Sequence, residues 1–167
     1  MILTKDEILK AIKSGKLKIS QFKINQVNAG SIDLTLSNEF RKFTPKKETI
    51  IVSENVDYKK YTTKFTAKSV ILKHNELVLG ITKEKITMPE DLCGFLQGRT
   101  RFARIGLNVH ITASFVQPGS INRQVLEIVN LGEKPIKLLA GTRVAQLVVE
   151  KTVGKAKFNG KYNNQVL

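Results

Sequence analysis

Ser31-Ile-Asp-Leu-Thr-Leu-Ser-Asn38 places Ile32, Leu34 and Leu36 at every second position, with polar residues between them. A period of two belongs to a strand with one buried face, not to a helix. Outward from this stretch, residues 49–52, 69–72, 77–82, 94–96, 109–113, 124–129, 136–139 and 143–149 read as further β-rich pieces. Asn75-Glu76, Pro118-Gly119, Leu131-Gly132 and Ala140-Gly141 punctuate them as turns. Many short strands with frequent turns predict an all-β barrel or sandwich. One helix precedes them. Thr4-Lys-Asp-Glu7 reads as a capping box ahead of Ile8, Leu9, Ala11 and Ile12, and Gly15 as the residue that ends the helix.

At 167 residues the chain suits a single domain, spanning 1–167, with a real core. Residues 154–167 lack apolar periodicity and are expected to form a flexible arm. No apolar run approaches the length of a membrane span, and the opening has no signal-peptide core, so a cytoplasmic location is expected, with no membrane partner. Cys93 is the sole cysteine, which rules out an intrachain disulfide. Sixteen of the 22 lysines precede residue 88, and the net charge of +14 favours polyanions. Yet the lysines are scattered, no nucleic-acid motif is present, and aromatics for base stacking make up only 7%. A solvated lysine-rich surface is the better reading, and nucleic acid is disfavoured as a partner.

Glu127 is the only acid between Asp91 and Glu133, a stretch that also holds Arg99, Arg101, Arg104 and Arg123. Guanidinium forks suit phosphate, and one carboxylate beside them is what proton transfer on a nucleotide needs. Residue counts alone serve a salt-bridged glutamate on a surface strand equally well. Other chemistries fall away. Cys93, His74 and His110 are far apart, and the H-x-E and P-C-x-x-C of zinc deaminases, the Walker loop and the serine elbow are all absent. His110, in an apolar stretch, reads as structural. Gly98-Arg-Thr-Arg-Phe-Ala-Arg-Ile-Gly-Leu107 packs three arginines and a hydroxyl between glycines, and suggests a turn entering a short helix.

These residues together resemble dCTP deaminase and its relatives in the trimeric dUTPase superfamily. The opening Ile8, Leu9, Ile12, Gly15, Leu17 and Ile19 is similar to the family's N-terminal helix and turn. Residues 30–43 are similar to its first motif, and residues 98–107 to its G-R-S-S-L-A-R-L-G-L. Val109-His-Ile-Thr-Ala113, Pro118-Gly119 and Val125-Leu-Glu-Ile-Val-Asn130 resemble the deaminase core. Residues 135–147 resemble the closing strand motif, and Lys161-Tyr-Asn-Asn-Gln165 the nucleotide-covering tail. The resemblance implies a dUTPase-like distorted β-barrel of the β-clip or jelly-roll type, with a short N-terminal helix and assembled as a homotrimer. It implies zinc-free deamination of dCTP to dUTP and ammonia. Glu127 would be the general base and acid, Arg104 would lie close and position it, and the Ala113 carbonyl would orient the water. Arg99, Thr100 and Arg101 would grip the triphosphate, Phe115 and Gln117 would meet substrate, and Lys161 and Gln165 would close over it. Magnesium would sit on the triphosphate and water, with no protein ligand. Asp33 would be structural.

The chain departs from the family's I-D-P-G-W-x-G hairpin, reading Val116-Gln-Pro-Gly-Ser-Ile-Asn122. Gln117 replaces an Asp expected at the sugar 3′-hydroxyl, which in dUTP-cleaving relatives also helps set the attacking water. Ser120 replaces an aromatic that would back the sugar, and Arg101 replaces a Ser. The alternatives are a dUTP pyrophosphatase, a bifunctional deaminase–pyrophosphatase, and an inactive nucleotide- or nucleic-acid-binding module of the same fold. Glu127 favours the deaminase and Gln117 speaks against pyrophosphate release.

Overall fold

The computed structural model describes residues 1–44, 49–160 and 162–167. Helix α1 (Lys5–Lys13) lies against the barrel through the buried Ile8 and Ala11. Its capping box does not form. Thr4 makes no side-chain cap bond, and the first helical N–H, that of Lys5, goes to the carbonyl of Ala29 at 2.8 Å. Gly15 stands just past the helix at φ 72°, the left-handed conformation that glycine adopts without a Cβ penalty.

The strands are β1 (Lys18–Ile19), β2 (Ile32–Phe43), β3 (Thr62–Thr66), β4 (Ser69–Leu72), β5 (Leu77–Thr87) and β6 (Leu92–Gly98). After the short helix α2 (Thr100–Ala103) come β7 (Leu107–Asn108), β8 (Phe115–Val116), β9 (Ile121–Asn130), β10 (Ile136–Leu139) and β11 (Arg143–Lys151). Their hydrogen-bonded order is β7-β9-β5-β2-β11-β6-β8, with β1 added to β5 and β3 to β2, while β10 and β4 form a separate antiparallel ribbon. The opening stretch behaves as its period requires, since Ile32, Leu34 and Leu36 are all fully buried. They pack with Phe40, Leu126, Ile128 and Leu147 in one large core. The all-β, dUTPase-like distorted barrel with an N-terminal helix is the architecture found.

Two expected strands are not strands. Residues 49–52 lie along the surface with Ile51 and Val52 exposed, so no burial rewards pairing there. Residues 109–113 are irregular because their amides serve side chains. The His110 N–H goes to Asn108 Oδ1 at 3.2 Å and that of Ile111 to Glu127 Oε2 at 3.0 Å. The tail is laid against the barrel: Phe158 N–H donates to the Pro118 carbonyl, Asn164 N–H to that of Ile121, and Leu167 is buried beside Leu79 and Ile81.

Candidate active site

Glu127 lies on β9 opposite Leu79 of β5, in the middle of the sheet and half-buried. One carboxylate oxygen is fixed by the Ile111 amide, and the other has no partner among the described residues. The loop that failed to become a strand therefore orients the one acid singled out by the sequence. Glu127 borders a cavity of about 550 Å³, with Ala113, Phe115, Gln117 and Gln165 also on its walls. Five of the expected residues thus share one cavity. Lys161 lies outside the described residues.

The hairpin at the cavity's rim is a tight turn with Gly119 at φ 69°. A Cβ there would stand 2.8 Å from Lys157 Cα, so only glycine lets the tail cross this turn. Gln165 is held by two bonds to β9. Its N–H reaches Asn122 Oδ1 at 3.0 Å and its Nε2 the Arg123 carbonyl at 3.1 Å. Phe115 is partly exposed and tilts against Phe95, ring centroids 5.2 Å apart.

The arginine segment is elsewhere. Arg99, Thr100 and Arg101 line a second concavity with Asn28, Asp33 and Gln146, while Arg104 and Thr100 line a third. The short helix expected after Gly98 is α2. Arg99 is anchored rather than loose. Its guanidinium meets Asp33 Oδ2 at 3.0 Å and donates to the Arg143 carbonyl at 2.8 Å. Asp33, nearly fully buried, accepts from Asn28 Nδ2 on its other oxygen, so its charge is spent holding Arg99. Gly106, at φ 83°, ends the segment against Gly132, whose backbone N would stand 2.5 Å from any Cβ. Within one chain Arg104 and Glu127 therefore face different cavities, and no ion pair joins them among the described residues.

Sequence reasoning placed Ser120 beside the sugar, and it does border the Glu127 cavity, but it missed Tyr58, Asn122, Gln124 and Phe158, which border it too. Burial pushes the Tyr58 phenol up, and the Arg41 guanidinium lies 5.7 Å from its ring centroid. Two amides at alternate positions of a core strand were a usable signal, because buried polar groups need a reason. Tyr58 had none: its segment carries no pattern that points to the cavity. Among the described residues no three His, Cys, Asp or Glu side chains gather as a metal site. No described helix is long and apolar enough to cross a membrane.

Comparison with known proteins bears on this geometry. A dCTP deaminase of Marinomonas sp. is 35% identical over 99% of this chain and 94% of its own. A dUMP-forming dCTP deaminase of Methanobrevibacter smithii is 32% identical over 99% and 91%. The crystal structure of 2′-deoxycytidine 5′-triphosphate deaminase from Agrobacterium tumefaciens superposes with a TM-score of 0.71 at 16% identity, covering 89% of this chain and 47% of that longer one. A Staphylococcus bacteriophage 80alpha dUTPase reaches 0.53 at 14% identity, over 87% of this chain and 90% of its own. At such identities the two structures speak for the fold alone. The family model described as dCTP deaminase-like matches residues 2–152, nearly the whole barrel, and the chain belongs to that family.

Proposed function

We propose that this protein hydrolyses the exocyclic amine of dCTP, releasing dUTP and ammonia. The observation that carries the reading is Glu127: a solitary carboxylate, one oxygen tied to the Ile111 amide and the other open, on the wall of a cavity large enough for a pyrimidine nucleotide. Family membership supplies the substrate class. The free oxygen takes a proton from a water oriented by the Ala113 carbonyl. The hydroxide adds to C4, and the protonated Glu127 delivers its proton to N3. Glu127 then takes the proton of the new C4 hydroxyl and passes it to the exocyclic amine, so that the C4–N4 bond breaks as ammonia leaves, C4 becomes a carbonyl and the carboxylate is restored.

The triphosphate needs cations, and Glu127's own cavity has no arginine on its wall. Arg99, Thr100, Arg101 and Arg104 lie in other concavities of the chain. Three copies arranged in a ring would bring this segment of one subunit to the Glu127 cavity of the next, with Arg104 then beside Glu127. Ile105, Ile111, Phe115 and Leu131 are exposed apolar side chains on or beside these two regions, and a subunit boundary would cover them. Gln165, with Lys161, would close over the nucleotide from the tail. Magnesium would ride on the triphosphate and water and neutralise phosphate charge. The reaction suits a cytoplasmic protein of nucleotide metabolism.

The test is to incubate the purified protein with dCTP and quantify ammonia, dUTP, dUMP and pyrophosphate. Glu127→Gln preserves shape but removes the base, and should lower turnover by about 10²–10⁴-fold while dCTP still binds. Near-normal turnover by that variant would remove Glu127 from the mechanism. A second reading, in which the product is carried on to dUMP, is favoured by the dUMP-forming relatives. Pyrophosphate equal to ammonia would establish it.

A further inference from the structure

Glu84, on β5, has no part in the chemistry above, yet it is only 2% exposed and pairs with no Lys or Arg among the described residues. Burying a carboxylate without a cation is costly, so what it holds must matter. Both of its oxygens accept. Oε1 takes Gln26 Nε2 at 2.8 Å and Oε2 the Thr35 N–H at 2.8 Å. Gln26 is just as buried, at 2% exposed. Its Nε2 also donates to the Asp33 carbonyl at 2.9 Å, and its Oε1 accepts the Lys23 N–H at 2.7 Å. An apolar side chain could fill either place, but could not tie the short helical turn Ile24–Gln26 to β2 and β5 at once.

Both contacts of the Arg99 guanidinium lead back to this pair. Asp33, whose carbonyl Gln26 holds, meets Arg99 at 3.0 Å. Asn25, next to Gln26 in the turn, offers its carbonyl and its Oδ1 to the guanidinium fork of Arg143. The Arg143 carbonyl in turn accepts from Arg99 at 2.8 Å. Thr35, whose amide Glu84 holds, is also the β2 partner of Arg143, where the register of β2 and β11 shifts. Resting on the deaminase reading with Arg99 as a phosphate contact, we propose that Gln26 and Glu84 are positioning residues for the phosphate grip. They hold Asp33 and Arg143 in place and through them fix the pose of Arg99. A side chain fixed before the nucleotide arrives loses less freedom on binding, so the network acts on dCTP affinity and not on proton transfer at Glu127.

The experiment measures kcat and KM for dCTP with the full-length protein. Glu84→Gln keeps the size but replaces one of two acceptors with N–H donors, so Gln26 or Thr35 loses its partner. KM should rise about 5-fold or more while kcat stays within about 2-fold. Asn25 is exposed, which makes it the safer variant for folding. Asn25→Ala removes the Oδ1 that holds Arg143 and should raise KM about 2- to 10-fold, the effect of one hydrogen bond, whereas Asn25→Asp keeps the acceptor and should restore it. A cycle shows whether the effect passes through Arg99. With dCTP titrated into the Glu127→Gln protein, Arg99→Ala should raise Kd by about 10- to 100-fold, and adding Asn25→Ala should raise it no further. Independent effects that multiply, an unchanged Kd in Arg99→Ala, or a KM within 2-fold of wild type in both Glu84→Gln and Asn25→Ala would each overturn the proposal. In all three cases a wild type that deaminates dCTP leaves the deaminase reading standing. A wild type that releases no ammonia from dCTP overturns both.

Discussion

Asp33 and Arg99 offer the sharpest test of how the phosphate grip is built. Asp33 sits in β2 with its side chain 4% exposed, and Arg99 caps α2 with 21% exposed, their charged atoms 3.0 Å apart. Asp33→Asn keeps the shape and the Asn28 contact but deletes the charge facing the guanidinium. Removing one partner of a buried pair costs about 3–5 kcal/mol, and Arg99's access to water brings this to about 2–3 kcal/mol. For a domain of this size each kcal/mol moves Tm by about 2–4 °C, so a fall of roughly 4–12 °C is expected by calorimetry or circular dichroism. A double-mutant cycle with Arg99→Met isolates the pair and should return a coupling of about 2 kcal/mol. In the enzyme assay Asp33→Asn should raise KM for dCTP more than it lowers kcat, since a loosened Arg99 no longer meets phosphate in a fixed pose. Single variants within about 0.5 kcal/mol of wild type, with additive effects, would refute the reasoning.

Gly106→Ala should destabilise by about 2–4 kcal/mol, because it forces a left-handed backbone on alanine and drives a methyl into the Gly132 backbone. Urea denaturation reads this directly, and a loss below about 0.5 kcal/mol would show that the two turns are free to part. Mixing inactive Glu127→Gln with inactive Arg99→Ala protein, after dissociation and reassembly, should restore activity through hybrid rings that pair an intact Glu127 with an intact Arg99. A monomer by light scattering, fully active at the assay concentration, would end the shared-site reading.

The fold was legible wherever burial enforces a period. Residues 69–72 and 136–139 are strands to the residue, and the opening stretch holds the core, because a one-residue slip would turn Ile32, Leu34 and Leu36 to water. It was illegible where amides go to side chains. Residues 109–113 have strand-like composition, yet their N–H groups serve Asn108 and Glu127, which no local pattern announces. Four of the five residues of strand β3 are Thr or Lys, and it is a strand through its pairing with β2. At the site, Glu127 stood out by charge isolation, but Tyr58, Asn122 and Phe158 reach the cavity through the folding of segments far apart in sequence.

Overall similarity does not decide between dUTP and dUMP as the product, because relatives of both kinds match almost equally, at 35% and 32% identity over 99% of the chain. The decision falls to individual groups. Cleaving the phosphate chain needs a second base near the sugar and triphosphate, separate from the one at C4. Gln117, at the cavity rim, is a neutral amide and cannot take a proton from water. Asp33, the one acid lining the concavity with Arg99 and Arg101, already accepts from Asn28 and pairs with Arg99. Glu127 is the acid on the wall of the other cavity, and the proposed deamination already uses it as the base. The expected outcome is dUTP accumulating with ammonia and no matching pyrophosphate, by ion-exchange chromatography of the reaction. Gln117→Asp should then introduce measurable pyrophosphate release while ammonia release continues. Stoichiometric pyrophosphate from the unaltered protein would mean that a base outside these two concavities serves the second step.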